Sequence, residues 1–247
     1  MNTRTIARGI ATLTLTAGLG LAGSVAVDAD TTPLPSPSAT PTPSLHTISL
    51  AALKVRCNVA VQRRLGTLAA DDSFVKRSGA LTSGDRNALE VQISADQTGL
   101  TALDMTIQGD STFVQARADC ERIVADYRVY VMEDPKIHEV IAADNVSTVN
   151  ATFETLIPEL QSLINASSVS ATVKAAAQTD LNDLTSKVNA SHTSISGVTA
   201  SVINLTPAGW PGNEVVLKSA RSNISTARTD LAGARADVNH ILQLLAG

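Results

Sequence analysis

Aromatic side chains are what this sequence most lacks: one Trp, two Tyr and three Phe in 247 residues. Strands and aromatic-lined pockets draw heavily on such residues, so their scarcity argues against a sandwich, a barrel or a stacking site. Basic excess is missing too. With 19 Lys and Arg against 23 Asp and Glu, the formal net charge is −4. A mildly acidic chain without a long basic run lacks the electrostatic footprint of a nucleic-acid binder, or of a protein held on an anionic membrane surface. No glycine-rich phosphate loop, no nucleophile elbow and no Cys/His arrangement for covalent catalysis occurs. The four histidines, His46, His138, His192 and His240, are far apart, and His138-Glu139 lacks the second His of a zinc helix. No catalytic residue, cofactor or metal is therefore expected, and the sequence points to no enzyme.

What is present is 44% apolar residues, mostly Leu, Val, Ile and Ala, which suit thin helical packing. Arg4 and Arg8 precede an apolar, small-residue stretch from Gly9 to Val27, with small-x-small sites ending at Ala26 and Ala29. This reads as a signal peptide over residues 1–29, with an uncleaved anchor as the other reading. Residues 30–45 hold Pro33, Pro35, Pro37, Pro41 and Pro43 among Ser and Thr, the composition of a disordered linker. A secreted or envelope-associated product follows, with no membrane span after cleavage.

The remainder divides into a helical bundle over 46–168 and a coiled-coil hairpin over 169–247, packed on the bundle or continuing it. Leu50, Leu53, Cys57, Val61, Leu65 and Leu68 recur at three and four, one face of a first helix that should break between Asp71 and Gly84. Thr82 and Asp85 form a capping-box pair for a second helix through Leu89, Ile93, Asp96, Leu100, Leu103 and Ile107. A third should carry Phe113, Ala116, Cys120, Val124, Tyr127 and Val131 on one face. Asp134 before Pro135 reads as the N-cap of a fourth, which Pro158 should kink. The stripe Ala177, Leu181, Leu184, Val188, Ser191, Ile195, Val198, Val202 and Leu205 predicts one helix of more than 30 residues. After the Pro207–Gly212 turn, Leu217, Ala220, Ile224, Ala227, Leu231, Ala234, Val238, Ile241 and Leu245 predict another. Together they make an antiparallel hairpin about 50 Å long at 1.5 Å per residue. The fold class is all-α, an elongated antiparallel bundle.

Cys57 and Cys120 are the only cysteines, and each lies on the apolar stripe of its own helix. Export then predicts a Cys57–Cys120 disulfide, with two buried free thiols as the other reading. Asp96 and Asp144 interrupt apolar stripes and are expected to pair with arginines across helices. The rare aromatics mark two places. Tyr127, Arg128 and Tyr130, with Lys136 and His138 just beyond Pro135, mix rings and cations where two helices meet; Trp210 sits at the hairpin tip. Each either contacts a partner or closes an end of the core. Six Asn-x-Ser/Thr sites occur, at Asn145, Asn150, Asn165, Asn189, Asn204 and Asn223.

The runs Leu81-Thr82, Asp85-Arg86, Ala88-Leu89, Ala118-Asp119-Cys120, Asp126-Tyr127-Arg128-Val129-Tyr130-Val131, Pro135-Lys136, Ile141-Ala142-Ala143-Asp144 and Leu205-Thr206-Pro207-Ala208-Gly209 resemble a group of exported α-helical proteins from high-GC Gram-positive bacteria. The likeness covers about residues 50 to 245. That group has no assigned activity, so the resemblance implies export and a helical fold and carries over no site residues. The expected function is a non-enzymatic structural or interaction protein of the envelope or extracellular space. Its partner would be another envelope protein or a cell-wall component, and self-association is open. A carrier of a small apolar molecule or lipid between helices is the other expectation.

Overall fold

The computed structural model describes residues 48–247; the expected signal peptide and linker lie outside them. Residues Ile48–Gly247 form one compact unit, helical throughout and, among the described residues, without a strand. The all-α reading is borne out. In chain order the helices are α1 (Leu50–Arg77), α2 (Ser83–Gly109), α3 (Phe113–Ala125), α4 (Asp134–Ala166), α5 (Ala171–Ile195), α6 (Val198–Ile203) and α7 (Asn213–Ala246), with a π turn at Val129–Glu133 between α3 and α4. The closest pairing is α5 with α7. Helix α4 lies against both, and α1 packs with α2 and α3.

Helix α1 ends inside the expected break, at Arg77, after Leu68, Asp71 and Val75 have continued the buried stripe. There Arg86 of α2 donates to the carbonyls of Val75 at 2.8 Å and Lys76 at 3.0 Å, and to Ser78. One guanidinium thus satisfies helix-end acceptors that α1 itself leaves unpaired. The Thr82 cap of α2 is as expected: its hydroxyl accepts the Asp85 N–H at 3.1 Å. Cys57 and Cys120 are disulfide-bonded, Cα to Cα 5.7 Å, which ties α1 to α3.

Three expectations about the helices are corrected. The third helix ends at Ala125 and does not reach Val131. Arg128 takes a left-handed conformation, φ 44°, and its carbonyl accepts the N–H of Val131 and Met132, so the backbone re-enters as a π turn. Ile123, Val129 and Met132 are buried and Val124 and Val131 exposed, the reverse of the periodic reading at the last two. Asp134 is no N-cap: Glu133 already has helical angles, and the π turn passes straight into α4. The first arm of the hairpin is not one helix. It divides at Ser196–Gly197, where Gly197 has φ 73°, a conformation glycine adopts without the Cβ penalty. Ile195, Val198 and Val202 stay buried on both sides of the break, so periodicity runs through it undisturbed.

The second half of the hairpin matches expectation. Helix α7 spans 34 residues, with Leu217, Ala220, Ile224, Ala227, Leu231, Ala234, Val238 and Ile241 buried along one face. Alanine at every second contact position lets α5 come close. Lys187 of α5 reaches across to Asp237 of α7 at 2.8 Å.

Candidate functional site

A groove of about 730 Å³ opens on the side of the molecule where the start of α2, the middle of α4 and the α5–α6 break meet. Its floor comes from α4. Asp144 accepts the Thr199 hydroxyl at 2.9 Å and the Thr82 N–H at 3.4 Å, so one carboxylate ties α6 and the α2 cap to α4. This corrects the expected arginine pairing. Burial pushes the Asp144 carboxyl above its usual value, with the hydrogen bonds from Thr199 and Thr82 acting against the rise.

Two turns further along, Asn150 is 1% exposed, and neither its amide nitrogen nor its amide oxygen has a hydrogen-bond partner. An unmet buried polar group of this kind costs on the order of 1–3 kcal/mol. The same burial rules out a glycan on Asn150 in the folded protein. At the groove's outer wall His192 Nδ1 stands 3.5 Å from Glu154 Oε1, both largely exposed. Asp85, Asp144 and Glu154 therefore face the groove with His192 as the only basic side chain in its lining.

The sequence-marked aromatics assemble elsewhere, at the corner formed by the π turn and the α6–α7 turn. Tyr127 is partly buried against the core, and a Cβ on Gly99 of α2 would overlap its hydroxyl, so a larger residue there would push the Tyr127 ring aside. The Arg128 guanidinium carbon lies 5.6 Å from the centre of the Trp210 ring, which covers the α6–α7 turn. That turn is held by Asn213, whose amide donates to the Thr206 carbonyl at 2.6 Å. Tyr130 is 47% exposed, with Arg64 of α1 stacked 4.9 Å from its ring centre.

Beneath this corner Lys136 and Asp96, both marked in the sequence, enter a buried polar junction whose pairing the sequence did not show. Lys136 Nζ pairs with Glu133 Oε2 at 2.5 Å, with side chains 2% and 5% exposed, and donates to the Leu205 carbonyl at 3.1 Å. Asp96 faces this pair from α2 and makes no ion pair with arginine, contrary to expectation. Burial, reinforced by the Glu133 charge and opposed by Lys136, raises its pKa to about 7. Burial also raises Glu133 above its usual range, against the pull of Lys136. Nearby, Asp71 of α1 meets Asp134 and His138 of α4. Burial and the Asp134 charge raise Asp71 to about 7, while the hydrogen bond between Asp134 and His138 lowers Asp134 and raises His138.

Compared with known proteins, the chain matches no family model, no curated protein and no solved structure. Among the described residues no helix is long and apolar enough to cross a membrane.

Proposed function

We propose that this chain is an exported, non-enzymatic binding protein of the cell envelope or extracellular space, and that it holds a polar, amine-bearing component of the cell wall in the lateral groove. The lining of that groove carries the reading. Three carboxylates with one imidazole and no Lys or Arg favour a cationic group. Covering the exposed Glu154 and His192 with hydrocarbon would cost their hydration, which weighs against an apolar molecule or lipid there. The N-terminal pattern and the disulfide support export, since such bonds persist in oxidising compartments.

Co-sedimentation with isolated Gram-positive cell walls tests the reading. The protein should pellet with the walls, and Glu154→Lys, at an exposed groove position, should abolish retention while helicity is unchanged. Retention of Glu154→Lys at the level of the unmodified protein, or no retention of either, sinks the proposal. A second reading places the contact at the aromatic corner, on the strength of exposed Tyr130 beside exposed Val131. Loss of retention in Tyr130→Ala alone would decide for that surface.

A further inference from the structure

Asp134 and His138 lie one helical turn apart on α4, and Asp71 meets them from α1, 63 and 67 residues earlier in the chain. His138 Nε2 is 3.4 Å from Asp134 Oδ1 and 4.0 Å from Asp71 Oδ1. One ligating atom from each of the three residues lies within 4.8 Å of the others. Asp71 is 3% exposed, and its second carboxylate oxygen, Oδ2, has no hydrogen-bond partner. The His138 side chain is 52% exposed, and its ring rests on Phe74 of α1 at a centroid distance of 5.0 Å, which fixes the direction the imidazole faces.

We propose that Asp71, Asp134 and His138 bind one divalent transition-metal ion of the zinc type, clipping α1 to α4. Bonds of about 2.0 Å to a tetrahedral centre put neighbouring ligand atoms about 3.3 Å apart. The observed 3.4 Å separation matches that spacing and the 4.0 Å one exceeds it by about 0.7 Å, so metal binding would draw Asp71 and His138 together. The exposed side of His138 leaves the fourth position to water.

The charge balance points the same way. The groups facing the cluster are Asp71, Asp134 and His138 themselves, with the carboxylates of Glu133 and Glu139 close enough to act on it. Lys136 is committed to Glu133 and Arg221 to Glu139. Among the described residues no Lys or Arg forms an ion pair with Asp71 or Asp134. Two carboxylates in close contact, one of them buried, favour a bound dication. The imidazole selects the class of ion, because nitrogen ligands suit zinc and its neighbours whereas calcium and magnesium take oxygen. His138 must be neutral to ligate, so binding should weaken as the pH falls.

Isothermal titration of the chelator-stripped protein with zinc chloride at pH 7.5 reads the site. One zinc per chain is expected, with a rise in melting temperature on loading. Loss of an outer-shell partner alone weakens metal binding about 10- to 100-fold, so loss of a ligand in His138→Ala or Asp71→Asn should cost at least about tenfold. Exposed His192 and His240 also stand beside carboxylates, so His192→Ala and His240→Ala serve as controls and should bind as the unmodified protein does. His138 is half exposed, and its replacement leaves the core intact, so the test stands even if Asp71→Asn fails to fold. No saturable zinc binding overturns the proposal. So does His138→Ala binding with unchanged affinity, affinity lost only in the two control variants, or displacement of zinc by equimolar calcium.

Discussion

Replacing Lys136 with Met separates two ways in which a buried charge can matter. The ammonium group pairs with Glu133 at 2.5 Å in a site where both side chains are almost wholly excluded from solvent. It also supplies the donor to the Leu205 carbonyl at the head of the α6–α7 turn. Breaking a buried pair from one side costs about 3–5 kcal/mol, mostly because the remaining charge is left uncompensated. For a body of this size each kcal/mol moves the melting temperature by about 2–4 °C, so Lys136→Met should melt roughly 6–20 °C lower. Removing the stranded carboxylate as well should restore part of the loss: Lys136→Met with Glu133→Gln is expected to be more stable than Lys136→Met alone by about 1–3 kcal/mol.

The pH dependence follows from the direction in which Glu133 is shifted. Its carboxyl is already raised above 4.5 by burial, and removing Lys136 raises it further. A carboxyl with a raised pKa in the folded state destabilises the fold as the pH climbs from about 4.5 through that raised value. The deficit of Lys136→Met should therefore be smallest near pH 4.5 and largest above neutrality. Urea unfolding at pH 4.5 and pH 8, with the disulfide intact, measures it. A cost below about 1 kcal/mol, or a deficit that grows as the pH is lowered, would refute the argument that an unpaired buried carboxylate is responsible.

Two further outcomes are expected. Cys57→Ser with Cys120→Ser opens a link between residues 63 apart, which the chain-entropy treatment values at about 4 kcal/mol; denaturant midpoints of the oxidised protein and the double variant should differ accordingly, and coincident midpoints would show the bond to be energetically idle. Asp96→Asn removes a carboxyl whose pKa stands near 7. It should stabilise the protein above pH 8 by at least about 1 kcal/mol, with little effect near pH 4, where Asp96 is protonated in the folded state; thermal melts at the two pH values show whether the gain tracks ionisation.

How far the sequence discloses this molecule depends on the range of the interaction that decides each feature. The capping pair Thr82–Asp85, the heptad face of α7 and the turn after Leu205 are all set by residues within a few positions of one another, and each stands where periodicity and turn chemistry put it. The errors fall where a local pattern is compatible with two backbones. Ile195, Val198 and Val202 keep the same phase whether or not the helix breaks at Gly197; the Ser-Gly pair inside the stripe was the only local sign. Likewise Asp126-Tyr127-Arg128 sits within a helical apolar rhythm. The left-handed turn at Arg128 is favoured by what it buries afterwards, Val129 and Met132, together with the stacking of Arg128 on Trp210.

The two sites are products of those same unread features, which is why neither could be found by spacing. The groove exists because the α5–α6 break turns α6 toward α4, bringing Thr199 to Asp144 across 55 residues. The acidic junction exists because the π turn feeds α4 past the end of α1, where Asp71, read from the sequence as the edge of a helix break, lies buried on the stripe. Asp71, Asp96 and Asp144 all occupy apolar-stripe positions, and the sequence offers no local cation for any of them. A carboxylate buried without an arginine must be held by hydroxyls, share a proton or meet a metal ion. Asp144 takes the first course, Asp96 and Asp71 are both raised to about 7, and Asp71 in addition faces Asp134 and His138 at the proposed metal site. Unpaired acids on a helical stripe are thus the sequence signal that would have directed attention to both places.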